Sequence, residues 1–141
     1  MKRKIDPNKE KDFLFNIIVP VFNAEKYIAK CLNSIVKQSH ERFLVQVVDD
    51  CSSDSSYEIA SSICEKNKNF KLFKNHRRIG ALNNIFNLLN TKIIEPSKTI
   101  DILIDGDDFL YRSDVLNIIE EKFIKTNCLI TYGSHISSKG V

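Results

Sequence analysis

Three carboxylates fall within four residues of the sequence, at Asp105, Asp107 and Asp108, with Gly106 between the first two. They directly follow the apolar stretch 99–104. Carboxylates this close repel one another unless a cation or solvent relieves them, and Mg²⁺ and Mn²⁺ prefer oxygen ligands. The pattern predicts a divalent-metal site, in which Gly106 permits a turn that other residues resist. The alternative is a solvated acidic turn with a helix cap.

A second acidic segment occupies residues 49–54 and follows another apolar run. One of its carboxylates, Asp50 or Asp49, could accept a hydrogen bond from the imide of a nucleotide base, as buried polar recognition groups do, with Asp50 the favoured candidate. The alternative is that Asp49 and Asp50 only cap the next helix. Phe22, with Asn23 beside it, could stack on the base, although an isolated phenylalanine is more often a core residue.

A short basic segment, residues 74–78, follows a third apolar run. The guanidinium groups of Arg77 and Arg78 suit phosphate oxygens, and a solvated pair is equally consistent with the spacing. His76 is more typical of a surface histidine than of a ligand. Taken together, the acidic and basic segments could hold one nucleotide diphosphate with its cation.

Apolar runs of strand length alternate with helical periodicity along the chain. Strands are predicted at Leu14–Val19, Leu44–Val48, Phe70–Phe73, Ile100–Ile104 and Leu129–Tyr132. Helices are predicted to begin at an Asn23 N-cap, at a capping box formed by Ser55 and Glu58, near Gly80 and near Ser113. This alternation predicts an α/β fold with a mainly parallel sheet covered by helices on both faces. Ligands of such sheets bind outside the carboxyl ends of the strands, where the charged segments lie.

The composition is that of one ordinary domain. The chain has 141 residues and a net charge of +3 from 21 basic and 18 acidic residues. We divide it into a basic, flexible leader at 1–12 and a domain at 13–141. Outside the leader the charge is nearly balanced, which argues against a nucleic-acid partner. The four cysteines form no CxxC pair and no stretch has the length of a membrane span. We therefore expect a cytoplasmic location, with the leader able to touch a membrane surface peripherally.

Four segments, in this order, resemble the family 2 glycosyltransferases of the GT-A fold. The resemblance extends from about Asn16 to Gly133. The segments are Ile17–Ile28 (IIVPVFNAEKYI), Leu32–Ser39 (LNSIVKQS), Val47–Asp54 (VVDDCSSD) and Ile104–Asp108 (IDGDD).

The resemblance implies a UDP-sugar donor and a metal-dependent, inverting transfer to an unknown saccharide, lipid or protein acceptor. It implies Mn²⁺ or Mg²⁺ at Asp107 and Asp108, although the ligating aspartate varies among relatives. The nucleotide-binding residues that it implies are Pro20, Phe22, Asn23, Glu25, Asp50, Arg78, Asp105 and Gly106. Residues 77–84 (RRIGALNN) depart from the commoner family pattern, in which Ala-Arg-Asn follows the glycine.

The catalytic general base is not assigned. Family members continue after the metal motif with an acceptor-binding half that supplies this base, and only 33 residues follow Asp108 here. The resemblance therefore implies a truncated GT-A domain that binds donor but transfers sugar poorly alone. We expect its truncated edge to expose apolar surface and favour self-association or a partner chain.

Two other functions compete with this interpretation. One is a nucleotide-sugar-binding module that is inactive without a partner or a C-terminal half. The other is an aspartyl-nucleophile phosphatase, because residues 102–107 form an apolar strand that ends in Asp-x-Asp.

Overall fold

A computed structural model describes residues 13–91, 99–126 and 130–133. In these ranges strands and helices alternate, as predicted. The elements are β1 (Leu14–Val21), α1 (Ile28–Val36), β2 (Phe43–Asp49), α2 (Ser56–Cys64), β3 (Phe70–Lys74), α3 (Ala81–Asn90), β4 (Thr99–Leu103) and α4 (Val115–Thr126). No helix among the described residues is long and apolar enough to cross a bilayer.

The four strands form one parallel sheet in the order β3-β2-β1-β4. Ile17 of β1 is in register with Val45 of β2 on one side and with Ile102 of β4 on the other. Every residue of β1 except Leu14 is buried. Because the strands are parallel, their carboxyl ends meet at one edge of the sheet, and the polar segments that follow them meet there too.

The helices cover both faces of the sheet, which confirms the predicted α/β architecture. The larger core lies on one face, where buried residues of α1, α2 and α4 such as Leu32, Ala60 and Leu116 pack against Ile17 and other β1 side chains. On the opposite face a smaller cluster joins the sheet to α3. It consists of Ile18, Val48, Leu88 and the partly buried Ile85.

A polar ladder crosses the α3 face of the sheet, beside this smaller cluster. Asn16 donates from Nδ2 to Asp101 Oδ1 at 2.7 Å, and its Oδ1 accepts from Gln46 Nε2 at 2.8 Å. Asn16 and Gln46 are both buried. The ladder therefore ties β4, β1 and β2 together through side chains as well as through backbone hydrogen bonds.

Three local predictions were wrong. The first helix begins at Ile28 rather than next to Asn23, because Asn23 adopts a left-handed conformation (φ 49°) instead of the extended one typical of an N-cap side chain. Ser55 precedes the second helix but makes no side-chain cap hydrogen bond. Residues 130–132 of the predicted fifth strand are not in a strand, and Leu129 lies outside the described residues.

We predict that Asn16→Ala lowers the free energy of unfolding by about 1–3 kcal/mol, because it leaves the buried Gln46 amide without its acceptor. Urea denaturation measures the change. The control is Asn33→Ala, since Asn33 is an exposed α1 residue whose amide bonds only the Ala29 carbonyl. Equal losses in the two variants would contradict a stabilising role for the ladder.

Candidate functional site

A cleft of about 240 Å³ opens at the carboxyl ends of β1, β2 and β4. Most of the residues predicted for the site line it, and they are Pro20, Phe22, Asn23, Asp50, Arg78, Asp105, Gly106 and Asp107. Glu25 and Asp108 do not line it. Tyr27 and Ala81 contribute to its wall and were not predicted.

Phe22 and Arg78 form a stacked pair inside the cleft. The Arg78 guanidinium carbon lies 3.8 Å from the centroid of the Phe22 ring, within the range of a cation–π interaction. Phe22 remains 39% exposed, so part of the ring is open to solvent. One face of the aromatic platform is thus already in contact with a cation.

Asp50 lies at the floor of the cleft and anchors the segment that precedes α3. Its Oδ1 accepts from Asn75 Nδ2 at 2.8 Å and from the Ile79 amide at 2.9 Å, and its Oδ2 accepts from the Gly80 amide at 2.8 Å. Asp50 is 2% exposed. It therefore does not cap α2, and it lines the cleft.

These hydrogen bonds also set the ionisation of Asp50. Burial acts to raise its pKa, but bonds from the Ile79 amide, the neighbouring asparagines and the Gly80 amide outweigh burial and hold the pKa below its ordinary value. Asn75 also donates to Asn84, at 2.7 Å, and Asn84 is buried. Sequence reasoning missed both asparagines. Asn75 directly follows β3 and Asn84 lies one turn into α3, and these positions near a strand end could have indicated a role at the site.

The loop after β1 is bound to the loop after β2. Asn23 donates its amide to Ser52 Oγ at 3.0 Å and accepts the Ser53 amide at 2.9 Å. The Ala24 amide donates to the buried Ser56 hydroxyl at 2.7 Å. The left-handed conformation of Asn23 brings these groups together, and its role here is to join two loops.

Glu25 and Asp54 complete this contact between loops. Glu25 Oε2 accepts the Ser55 amide at 3.2 Å, and Asp54 Oδ2 accepts the Glu25 amide at 3.1 Å. Asp54 also accepts the Ser56 amide and hydroxyl. Burial acts to raise the pKa of Asp54, but these hydrogen bonds hold it below its ordinary value. Glu25 thus contacts the start of α2 and lies outside the cleft wall.

Asp49 points away from solvent. It is fully buried, and its Oδ2 accepts the Ser52 amide at 3.1 Å. Among the described residues its Oδ1 has no hydrogen-bond partner. Of the two possibilities left open for Asp49, these contacts favour a turn-forming role.

Gly106 lies in a turn, as predicted, that the Asp108 amide closes on the Asp105 carbonyl. It is needed there for a close approach of two loops and not for an unusual backbone conformation. Its backbone has no positive φ, unlike that of Gly80. A Cβ on Gly106 would lie 3.1 Å from the Pro20 carbonyl oxygen and 3.3 Å from Val21 Cγ2. The Gly106 amide donates to the same Pro20 carbonyl at 3.2 Å. The acidic loop and the β1 loop therefore touch through backbone.

The three aspartates of the acidic loop are exposed and create a negative local field. Its effect is visible at Cys31 of α1, whose thiol pKa is raised to about 12 by burial and then by Asp108, Asp107 and Asp105. In the described part of the chain no three acidic, histidine or cysteine side chains gather into a metal cage. An open site needs none, because Mg²⁺ typically uses one or two carboxylates together with waters and substrate phosphates.

The carboxylates that follow the acidic loop in sequence contact basic residues outside the cleft. Asp114 forms a two-bond ion pair with Arg112, at 2.8 and 2.6 Å. Glu121 pairs with Lys125. Glu120 is 2% exposed and lies 3.6 Å from His40 Nε2. None of these carboxylates lines the cleft.

Comparison with known proteins gives consistent results. The sequence model of a family described as "Glycosyl transferase family 2" matches residues 16–140. Glycosyltransferase GlyA of Streptococcus pneumoniae is 29% identical over 126 residues, which are 89% of this chain and 17% of GlyA.

Two solved structures share the fold. Staphylococcus aureus TarS in complex with UDP superposes with a TM-score of 0.69 and 29% identity, over 82% of this chain and 33% of that one. Mannosyltransferase PcManGT from Pyrobaculum calidifontis, in complex with GDP-Man and Mn²⁺, gives a TM-score of 0.68 at 23% identity, over 82% of this chain and 33% of that one. The chain spans a third or less of the length of each of these relatives.

We predict that Gly106→Ala lowers the free energy of unfolding by about 1–3 kcal/mol, because the new methyl group must push backbone aside. Thermal or urea unfolding checks this. Gly133→Ala is the control, since nothing lies within 4 Å of a Cβ built at Gly133. A Gly106→Ala protein as stable as the control would show that the two loops are not held in contact.

The stability of the protein should depend on the ionisation of Asp50. The folded-state pKa of Asp50 lies below the unfolded value of about 3.9. Ionised Asp50 therefore stabilises the fold above that value, and the contribution is lost as the pH falls through the folded pKa. The stability difference between wild type and Asp50→Asn should be largest near neutral pH and shrink below about pH 4.

Chemical denaturation at a series of pH values measures this difference. The control is Glu58→Gln, which alters an exposed carboxylate of α2 outside the cleft. A stability difference for Asp50→Asn that stays constant from neutral to acid pH would contradict the role given to the charge.

Proposed function

We propose that this chain, which belongs to glycosyl transferase family 2, is the donor-binding part of an enzyme that transfers sugar from a UDP-sugar. The observation that carries the proposal is the composition of the cleft, which is lined by an aromatic ring, a buried carboxylate and exposed aspartates. The UDP complex of TarS, which matches this chain over 82% of its length, supports a uridine nucleotide as ligand.

The base end of the nucleotide is proposed to lie at Phe22 and Asp50. A uracil imide N–H would donate to the Asp50 carboxylate, which the lowered pKa keeps ionised. The base would stack on Phe22, whose ring now contacts Arg78. Base and guanidinium compete for this ring, and Arg78, once displaced, remains at the cleft near the diphosphate.

The diphosphate end is proposed to lie at the acidic loop. Asp107 and Asp108 would hold Mn²⁺ or Mg²⁺, and Asp105 would contact ribose and metal. Hard oxygen donors on an exposed loop fit such an ion. The bound metal would neutralise charge on the departing diphosphate. The chain's own contribution is to keep the acidic loop against the β1 loop through Gly106.

A second candidate function is nucleotide-sugar binding without transfer. It is favoured by the positions of Asp114, Glu120 and Glu121, which leave the described residues after the acidic loop without a carboxylate at the cleft. A general base must lie within hydrogen-bond reach of the acceptor hydroxyl. Release of UDP that depends on an added acceptor would separate the enzyme from the binding module.

The acceptor, a saccharide, a lipid or a protein, stays a prediction, as does a cytoplasmic location at or away from a membrane surface. Self-association or a partner chain also stays a proposal. It is supported by exposed apolar side chains on α3 and β4, with Leu82 79%, Phe86 65% and Leu103 55% exposed. Apolar surface of this kind favours association.

We predict that UDP binds weakly in chelator and more tightly with Mn²⁺, because carboxylates and diphosphate repel without a cation between them. Asp107→Ala should reduce the effect of Mn²⁺ on the free energy of UDP binding by at least about 1 kcal/mol, the attraction between two unit charges 4 Å apart in bulk water, because the cation carries two charges. Calorimetric titration with UDP measures both effects.

The matched control is Glu58→Ala, which removes an exposed negative charge from α2 without touching the cleft. It should keep the full effect of Mn²⁺. Equal UDP affinity in chelator and in Mn²⁺, or an undiminished gain in Asp107→Ala, would refute the metal assignment.

A further inference from the structure

We propose that Ser34 of α1 and Gln38, two residues beyond the end of α1, are positioning residues that hold the acidic loop where metal and diphosphate bind. The inference rests on the proposed function for the identity of the ligand. Neither residue lines the cleft. Both act through the main chain that follows Asp105, Asp107 and Asp108.

Ser34 holds the chain just beyond the aspartates. Its Oγ accepts the Leu110 amide at 2.9 Å and donates to the Cys31 carbonyl at 2.6 Å. The hydroxyl therefore joins the acidic segment to the helix with both of its hydrogen-bonding functions. Beside it, the Lys30 ammonium lies 3.5 Å from the centroid of the Phe109 ring, and Cys31 Sγ contacts the Asp105 carbonyl at 3.7 Å.

Gln38 holds the segment one turn further along. Its Nε2 donates to the Arg112 carbonyl at 2.6 Å, and its Oε1 accepts the Leu116 amide at 3.2 Å. It is 8% exposed, so these bonds are largely shielded from water. Gln38 thus supplies a hydrogen-bond donor to a carbonyl of the irregular chain before α4. It also supplies an acceptor to an amide in the first turn of that helix, where amides have no partner within the helix.

Without these contacts the segment would have few restraints. Residues 104–114 contain no strand or helix. At the start of the segment the amides of Ile104 and Gly106 donate to the carbonyls of Ile18 and Pro20, and the Asp108 amide donates to the Asp105 carbonyl within the turn. From Phe109 onward the restraints come from Ser34 in α1 and from the residues just beyond its end. Gln38 donates from Nε2 to the Ser34 carbonyl at 3.1 Å as well as to Arg112, and the Ser39 amide donates to the Ser113 carbonyl at 2.8 Å. A binding site works only when its groups are held within about 0.5 Å.

Helix α1 also links the two ends of the nucleotide site. It starts just after the Phe22–Ala24 loop, which is bonded to the loop after β2. Further along, it bonds the acidic segment. A change at Ser34 or Gln38 should therefore alter the diphosphate end and leave the base end unchanged.

The test compares Ser34→Ala and Gln38→Met with Asn33→Ala, whose side chain bonds only within α1. The affinity for uridine measures binding at the base end of the cleft. The affinity for UDP, with and without Mn²⁺, measures binding at the diphosphate end. We expect the Mn²⁺-dependent gain in UDP affinity to fall about fivefold or more in both variants, with uridine affinity unchanged. Ser34→Thr, which keeps the hydroxyl, should restore the gain.

Hydrogen exchange in the absence of ligand tests the positioning by itself. Amides at 105–112 should exchange faster in Ser34→Ala and Gln38→Met than in Asn33→Ala, while those at 49–56 stay the same. Faster exchange with no UDP binding by wild type would support the positioning and refute the proposed function. Unchanged exchange at 105–112, or parallel losses of uridine and UDP affinity, would overturn the positioning role.

Discussion

The two parallel hydrogen-bond ladders that β1 shares with β2 and β4 determine where the loops of the candidate site lie. Through them the loops after Val21, Asp49 and Leu103 leave the sheet at one edge. β1 can occupy the central position because its side chains are apolar toward both faces, apart from Asn16. That residue is satisfied by the polar ladder to Asp101 and Gln46. A chain without this strand would have no common edge on which to assemble the cleft.

Contacts between loops then fix the cleft on this edge. Asp50 binds the segment before α3, Asn23 and Ser56 bind the β1 loop to the β2 loop, and Gly106 brings the acidic loop against Pro20. Most of these contacts pair backbone amides with short polar side chains. The exposed aspartates themselves have few protein partners, and this leaves their oxygens available to a cation and a diphosphate.

The sequence predicted the sheet, the strand order along the chain and most of the cleft wall, because buried strands and helix faces leave strong periodic signals. It did not predict the roles of Asn23, Asn75 and Gly106. Their functions depend on contacts between loops that are distant in sequence, such as Gly106 with Pro20, and no local pattern encodes such contacts. The assumed N-cap at Asn23 failed for the same reason, since its side chain bonds the Ser53 amide.

Paramagnetic broadening of amide resonances by Mn²⁺ in the presence of UDP, combined with UDP shift mapping, is the most direct test of where the cleft binds metal and base. We expect strong broadening at residues 104–109 and UDP-induced shifts at Phe22, Asp50 and Arg78. We also expect Mn²⁺ to broaden the UDP phosphorus signals strongly. Broadening centred elsewhere on the chain, or UDP shifts that avoid the base end of the cleft, would contradict this arrangement of the site.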